Sequence, residues 1–276
     1  MASFQQLLRQ KDCIFGLFVN LNDPSVVEMA HLAGFDFIRI DLEHKMYDPA
    51  TVLSLIRTAD HLDMAVQVRI SDVSEVTRLL DAGADGIVVP GATSVESVQE
   101  AIDAIKYYPL GERGISGDAR WLDYGQYRFI QKYPEANDNV ALILQMENKH
   151  AIAQMDEILS MEGVDMIATG RYDLSQALGM PGQNQHPDVL ALEEKIIQKA
   201  IAHGKMPLIL AGNAARVREL REMGVRAMTV TQDTKLLMNG LKQTLSEIKG
   251  VPFQCPESDF YICPAEMVVL VLGKAL

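Results

Sequence analysis

Short apolar runs alternate along the chain with longer segments in which apolar residues recur at helical spacing. The runs have the length of strands and lie at residues 13–19, 35–40, 65–70, 86–90, 140–145, 164–168, 206–211 and 227–231. Asp-Pro pairs at 23–24 and 48–49 mark helix starts, and glycines such as Gly34 and Gly83 mark helix ends. Strands that alternate with helices predict a parallel sheet covered by helices.

Eight strand–helix units follow one another between residues 13 and 248, which predicts a closed (β/α)8 barrel, the TIM-barrel fold. No G-x-G-x-x-G pattern follows the first strand, so a dinucleotide-binding open sheet is disfavoured. No repeat is evident at the level of individual residues. We therefore predict one barrel domain at residues 1–250 and a C-terminal extension at residues 251–276.

Two segments fall outside the repeating pattern. Residues 109–139 form a long insertion between the fourth helix and the fifth strand, and loops of that length usually serve as a lid or a binding loop. The extension at 251–276 carries an apolar run at 267–272, which is too short to span a membrane. We expect the extension to pack on the barrel or on a neighbouring subunit.

Composition narrows the classes of partner. The net charge is −12, which argues against binding to nucleic acid or to an anionic membrane surface. The 3 cysteines include no C-x-x-C pair, and their odd number gives no disulfide framework. The first residues lack the apolar core of a signal peptide. We expect a cytoplasmic protein that acts on a small molecule.

Candidate chemistry lies at the C-terminal ends of the strands, the face that carries the active site in barrels of this kind. Glu147 and Asp173 follow two buried strands, and two carboxylates brought to one point suggest a hard divalent metal ion. The polar residues at strand ends are Asp41, Glu43, His44, Arg69, Gln145, Glu147, Gly170, Arg171, Tyr172, Asp173, Asn213, Gln232 and Asp233.

Each of these residues also has a purely structural interpretation. An acid after a strand is often the N-cap of the next helix, which applies to Asp173 and more strongly to Asp233. His44 alone is more often a hydrogen-bonded structural histidine, and Arg69 alone could form a buried ion pair. A histidine, an arginine and two acids on different strand ends of one barrel nevertheless favour a site that combines a metal and a base.

Several stretches together resemble the class II pyruvate aldolases of the HpcH/HpaI family, over roughly residues 5–250. Any one of them alone would be weak, but their order and spacing fit throughout. The matching stretches are GFDFIRIDLEH at 34–44, VQVRI at 66–70, DAGADGIVVPG at 81–91, YPLGERG at 108–114, ILQMEN at 143–148, GVDMIATGRYDLS at 163–175 and QDTKLL at 232–237.

The resemblance implies a divalent ion, Mg²⁺ or Mn²⁺ with Co²⁺ as an alternative, held by Glu147 and Asp173. A 2-oxoacid such as pyruvate would chelate that ion. Arg69 would add positive charge at the keto oxygen, and Gln145 would donate a hydrogen bond near it. The backbone amides of Tyr172 and Asp173 would hold the substrate carboxylate.

The resemblance also implies an acid–base role for His44, oriented by Asp41, which would move the proton of the hydroxyl group through a metal-bound water. Cleavage of a 4-hydroxy-2-oxoacid would then give pyruvate and an aldehyde. The implied assembly is a homo-oligomer, a hexamer built as a trimer of dimers. The sequence departs from the family at Arg171, where proline is usual, and at Tyr172, where a small residue is common.

Other functions remain open from the sequence. A decarboxylase or another enolate-forming enzyme would use the same residues. A CoA-ester lyase of the citrate-lyase type would need basic residues for the CoA phosphates, which the acidic composition disfavours. A barrel that has lost catalysis and serves only in binding is disfavoured by the intact set His44, Arg69, Glu147 and Asp173.

Overall fold

Eight parallel strands form one closed barrel in chain order in the computed structural model, which describes residues 3–250. The predicted (β/α)8 barrel is thus confirmed, and pairing of the last strand with the first closes it. The strands are β1 (Ile14–Val19), β2 (Phe37–Asp41), β3 (Ala65–Arg69), β4 (Gly86–Val89), β5 (Ala141–Gln145), β6 (Met166–Ala168), β7 (Met206–Leu210) and β8 (Ala227–Gln232).

Helices follow the strands and surround the barrel. The helices are α1 (Phe4–Gln10), α2 (Ser25–Leu32), α3 (Pro49–His61), α4 (Val76–Ala82), α5 (Val95–Ile105), α6 (Phe129–Asn139), α7 (Lys149–Ala153), α8 (Met155–Ser160), α9 (Arg171–Ala177), α10 (Pro187–Ala202), α11 (Ala214–Glu222) and α12 (Asp233–Lys249). The predicted helix at 149–161 is divided at Gln154, and α1, α6 and α9 were not predicted. No helix within residues 3–250 is long and apolar enough to cross a membrane.

The interior of the barrel is packed solid at the N-terminal ends of the strands. Phe4 of α1 enters the barrel there and meets Phe37 edge to face, with ring centroids 5.3 Å apart. Gly16 leaves room for this ring, because a Cβ at that position would lie 2.0 Å from a carbon of Phe37. The barrel is therefore filled at this end, and the open space lies at the C-terminal ends of the strands.

An aspartate latch recurs before three of the four even-numbered strands. Asp36, Asp85 and Asp165 precede β2, β4 and β6, and each follows a glycine with positive φ by two residues. Their carboxylates accept the backbone amides of Phe15, Val66 and Leu142 at 2.7, 2.9 and 2.8 Å, which ties each even strand to the strand before it. The expectation that no residue-level repeat exists was therefore wrong.

The insertion at 109–139 lies away from the cavity described below, so the expectation of a lid was wrong. It connects a helix to the following strand, and such connections lie at the N-terminal ends of the strands, opposite the reactive face. Trp121, Phe129 and Tyr133 pack on Tyr107, and Arg113 pairs with Asp81 at 2.8 Å. The insertion therefore covers the flank of the barrel.

The extension predicted at 251–276 lies outside the described residues, and its packing stays a prediction. The helix before it, α12, ends at Lys249, and Gly250 caps it in the left-handed conformation with a φ of 65°. Positive φ at this position is what favours glycine at a helix end.

Candidate functional site

A cavity of about 450 Å³ opens at the C-terminal ends of the strands. This is the face where enzymes of this fold place their active sites. The predicted residues that line it are Asp41, His44, Arg69, Gln145, Gly170, Arg171, Tyr172, Asp173 and Gln232. The sequence reasoning therefore identified most of the polar wall of this cavity.

Three predicted side chains converge beside Gly170. A Cβ on Gly170 would lie 2.6 Å from Asp173 Oδ2, 3.3 Å from Glu147 Oε2 and 3.4 Å from Gln145 Nε2. The strands β5 and β6 pair Gln145 with Ala168, which brings both strand ends to this point. The structure thus brings Glu147 and Asp173 together as predicted, and only glycine leaves the space between them open.

Glu147 is held from two sides and is poorly solvated. Its Oε1 accepts the backbone amide of Gly91 at 3.0 Å, and its Oε2 accepts the side-chain amide of Gln145. Burial raises the pKa of Glu147 to about 7; the Gln145 bond opposes this rise, and the negative charge of Asp173 adds to it. A cation between the two carboxylates would offset their mutual repulsion and the cost of burying their charge.

Arg69 is fixed by two acids at the end of β2. Its guanidinium makes a bidentate pair with Asp41, with bonds of 2.9 and 2.7 Å, and its Nη1 lies 3.2 Å from Glu43. Burial would raise the pKa of Asp41, but the hydrogen bond and charge of Arg69 outweigh it and leave that pKa lowered. Asp41 is therefore ionised at neutral pH and holds Arg69 rigidly in the cavity wall.

His44 stands at the mouth of the cavity, where 63% of its side chain is exposed. Its Nε2 lies 3.6 Å from Glu43 Oε2, while Asp41 accepts the backbone amide of His44 at 3.4 Å. Asp41 therefore orients the His44 backbone, and Glu43 is the carboxylate beside the ring. This differs from the expectation that Asp41 orients the imidazole.

Tyr172 and Asp173 lie in the first turn of α9, a helix that the sequence did not reveal. Gly170 is its N-cap, so Asp173 is a first-turn acid and not the cap itself. Their backbone amides belong to the group that has no partner within the helix. The placement fits the expected carboxylate-binding role, and the ring of Tyr172 is exposed at the cavity wall.

Two other strand-end candidates have structural roles. Asn213 is the N-cap of α11 and accepts the amide of Arg216 at 2.8 Å. Asp233 accepts the amides of Asn20 and Leu21 at 2.8 and 2.9 Å, which joins the end of β8 to the loop after β1. The prediction that Asp233 is the N-cap of α12 was wrong, because Gln232 is the N-cap, but Asp233 does have a structural role.

The cavity also contains charged residues that the sequence reasoning missed. Arg39 is buried inside the barrel, where its Nε donates to Gln67 at 3.0 Å and its Cζ lies 5.0 Å from the Phe18 ring centroid. Burial, and secondarily the charge of Arg69, lowers the pKa of Arg39 to about 9. Glu193 of α10 is the other buried charge on this wall.

Comparison with protein families identifies a match over most of the chain. The profile of the family described as HpcH/HpaI aldolase/citrate lyase matches residues 14–240. This range contains all eight strands and every residue named above as lining the cavity.

Individual relatives are similar over nearly their full lengths. The chain is 32% identical to a hydroxypyruvate/pyruvate aldolase of Pseudomonas aeruginosa over 90% of this chain and 92% of that protein. It is 33% identical to a 4-hydroxy-2-oxo-heptane-1,7-dioate aldolase of Escherichia coli over 85% and 90% of the two chains. Among solved structures, an HpcH/HpaI aldolase from Desulfitobacterium hafniense has a TM-score of 0.85 and 31% identity, covering 92% of this chain and 100% of that one.

Proposed function

Because the chain belongs to the HpcH/HpaI aldolase/citrate lyase family, we propose that it is a class II aldolase that cleaves a 4-hydroxy-2-oxoacid into pyruvate, or a related 2-oxoacid, and an aldehyde. The observation that carries this proposal is the convergence of Glu147, Asp173 and Gln145 on one point beside Gly170. Arg69, Gln145 and Asp173 line the same cavity, and Glu147 lies behind Gly170 in its wall.

The residues present fit a divalent cation. Glu147 and Asp173 supply oxygen ligands, and the raised pKa of Glu147 reflects their mutual repulsion as well as burial. Within residues 3–250 no group of three or more His, Cys, Asp or Glu side chains is placed to hold a metal. A pair of carboxylates completed by water and substrate is the way Mg²⁺ is commonly bound. A bound divalent cation would act as a Lewis acid on the keto oxygen of the substrate.

Arg69 supplies the fixed positive charge for the reaction. When the bond between C3 and C4 breaks, its electron pair remains on the pyruvate fragment as an enolate, and negative charge develops on the former keto oxygen. The guanidinium is preorganised for this charge by its bidentate pair with Asp41. Asp41 thus acts on the reaction through Arg69.

His44 is placed to carry the proton. Cleavage requires removal of the proton from the C4 hydroxyl, whose oxygen becomes the aldehyde carbonyl, and a later proton delivery to C3 of the enolate. His44 lies at the open side of the cavity and beside Glu43, whose negative charge would stabilise the imidazolium. The tightly bound 2-oxoacid end would sit deeper, beside Gly170.

The alternative functions are less well supported. A CoA-ester lyase needs cations for the CoA phosphates, and two of the cations in this cavity, Arg69 and Arg171, are paired with Asp41 and Glu193. A decarboxylase would use the same enolate chemistry, but the named relatives above are aldolases. The aldolase is therefore the function that we propose for this site.

The finer properties follow from the same proposal. We propose Mg²⁺ or Mn²⁺ as the ion, with Co²⁺ able to replace it, since carboxylate and water ligands suit hard cations. We also propose that the enzyme is cytoplasmic and acts as a homo-hexamer, a trimer of dimers. The preferred aldehyde is defined by groups at the mouth of the cavity, where Tyr172 is exposed.

Replacement of Glu147 by alanine tests the metal assignment. We expect Glu147→Ala to abolish Mn²⁺ binding in calorimetry, because half of the carboxylate pair is lost. Pyruvate release from a panel of 4-hydroxy-2-oxoacids, followed with a coupled dehydrogenase, should fall to the level of the wild-type enzyme in EDTA.

Glu222→Ala is the matched control, because Glu222 is an exposed glutamate of α11 outside the cavity. It should bind Mn²⁺ and release pyruvate like the wild type. Undiminished Mn²⁺ affinity in Glu147→Ala would remove the metal assignment. Activity of the wild-type enzyme that survives EDTA in full would reject the class II mechanism.

A further inference from the structure

Glu193 of α10 holds both neighbours of Gly170. Its Oε1 accepts the hydroxyl of Thr169 at 2.9 Å, and its Oε2 accepts the Nε of Arg171 at 2.7 Å. Only Gly170 separates these two residues in the chain. A single carboxylate therefore grips the turn on both sides of the point where Glu147 and Asp173 converge.

The Glu193 carboxylate is deeply buried and is paired with two arginines. The Glu193 side chain is 3% exposed, and it pairs with Arg171 at 2.7 Å and with Arg216 of α11 at 2.6 Å. Buried carboxylates with several charge-assisted hydrogen bonds are held rigidly. The cluster therefore joins the end of β6 and the start of α9 to two helices of the outer layer.

The position of the turn determines the position of Asp173. Arg171 is the first residue of α9, and the Gly170 carbonyl accepts the amide of Leu174 at 2.8 Å, which closes the turn that contains Asp173. Movement of residues 169–171 would therefore change the separation between Asp173 and the buried Glu147. The guanidinium of Arg171 is bound to Glu193 and not to either acid, so Arg171 acts through this turn.

On the basis of the proposed function, we propose that Arg171 and Glu193 are positioning residues that set the separation of the Glu147–Asp173 carboxylate pair for a divalent cation. The resembled family usually has proline at position 171, which has no side-chain donor. In this chain the arginine replaces the rigidity of proline with an ion pair to a buried glutamate.

Two alanine variants separate positioning from electrostatics. Arg171→Ala removes the contact of Glu193 with one side of the turn, and Arg216→Ala removes an equal charge from the same Glu193 oxygen without touching the turn. Each variant leaves the buried carboxylate paired with one arginine, so both should fold. Loss of a nearby cation would by itself tighten the binding of a divalent cation in both variants.

We expect Arg171→Ala to bind Mn²⁺ about tenfold more weakly than the wild type, the usual effect of losing a group that orients a ligand. Arg216→Ala should bind at least as tightly as the wild type. Arg171→Lys keeps an ion pair with Glu193 but loses the second guanidinium contact. Its Mn²⁺ affinity should lie between those of the wild type and Arg171→Ala. The affinities are measured on the full chain by calorimetry and by the electron paramagnetic resonance of free Mn²⁺, with circular dichroism confirming the fold.

Unchanged or tighter Mn²⁺ binding by Arg171→Ala would overturn the positioning role while leaving the proposed function intact. Equal weakening in Arg171→Ala and Arg216→Ala would also overturn it, because the effect would then belong to the whole cluster. A wild-type protein that binds no Mn²⁺ would overturn the proposed function together with this inference.

Discussion

His44 and Glu43 form a pair at the cavity mouth in a segment outside the helices and strands, where Asp41 accepts the backbone amides of both. The ring nitrogen of His44 lies 3.6 Å from Glu43, and Glu43 is itself drawn toward Arg69. Burial raises the pKa of Glu43, and the charges of Arg69 and His44 partly oppose the rise. The imidazole of His44 is exposed both to solvent and to a molecule bound in the cavity.

We expect His44→Ala to bind Mn²⁺ as the wild type does, because His44 is not part of the carboxylate pair. Turnover on 4-hydroxy-2-oxoacids should fall by about 10²-fold or more, the range for a lost acid–base group. His61→Ala, at an exposed histidine of α3, is the control and should retain full turnover. Wild-type turnover in His44→Ala would reject His44 as the proton carrier.

Polar residues at the ends of apolar runs could be recognised from the sequence, whereas polar residues on the buried faces of a strand or a helix could not. Asp41, Glu147 and Asp173 follow apolar runs and were recognised as strand-end groups, as was Arg69 near the end of its run. Arg39 lies within an apolar run on β2, and its side chain is buried inside the barrel. The sequence therefore indicated only a strand residue at this position. Glu193 lies on the buried stripe of α10, where the sequence alone gives no sign that two arginines neutralise it.

The aspartate latches explain how the strands of each pair keep their register at the N-terminal face. In each latch the aspartate amide also donates to the strand before it, so one residue makes a bond in each direction; for Asp85 and Val66 both bonds are 2.9 Å. Before β8 the corresponding position is Arg226, which donates to the carbonyls of Asp12 and Lys11 instead. The repeat was hidden because glycine, any residue and aspartate form too short a pattern to stand out.

Asp85 makes a pH dependence of stability testable. Burial raises the pKa of Asp85 to about 7, although the bond from the Val66 amide opposes this. The folded state thus retains a proton that the unfolded chain has lost, so stability falls as pH rises from about 4 to about 7, by at most about 1.4 kcal/mol per pH unit.

We expect Asp85→Asn, which can still accept the Val66 amide, to lack this contribution. Urea unfolding at several pH values should show the wild type losing stability relative to the variant between pH 4 and 7. A stability difference that stays constant over this window would contradict the buried, protonated state of Asp85.

Helix boundaries were predicted well where a capping side chain bonds within its own turn. They were predicted poorly where tertiary contacts determine whether the helix forms. Asp48 caps α3 as expected, because its side chain bonds within its own turn. The helix α9 escaped detection because it has only 7 residues and begins at a glycine without a side-chain cap. The helix α6 contains Pro134 within it, which argues against a helix from sequence alone.

Within residues 3–250, α12 carries an extended apolar face that is exposed. Leu237, Leu241, Leu245 and Ile248 of α12 are all at least half exposed, and with Met29 of α2 they border a groove of about 600 Å³. Apolar patches of this kind usually mark a protein interface. We expect a second copy of this chain to cover it, in line with the proposed hexamer.

Sedimentation velocity tests this expectation. Leu241→Glu with Leu245→Glu should reduce the mass of the assembly, because carboxylates would be buried in an apolar interface. Lys242→Glu introduces an acid on the same helix outside the groove and should leave the mass unchanged. Wild-type mass in the double variant would place the subunit contact elsewhere.

The aromatic ring of Phe4 gives the barrel a sealed floor. With no passage through the barrel, the two fragments formed by cleavage must depart by the route through which the intact molecule arrived. With the 2-oxoacid bound deeper, the aldehyde lies nearer the opening and must leave first. An accumulating aldehyde would therefore slow the release of the 2-oxoacid. The rate of product release through this opening, as well as the rate of bond cleavage, would then limit turnover.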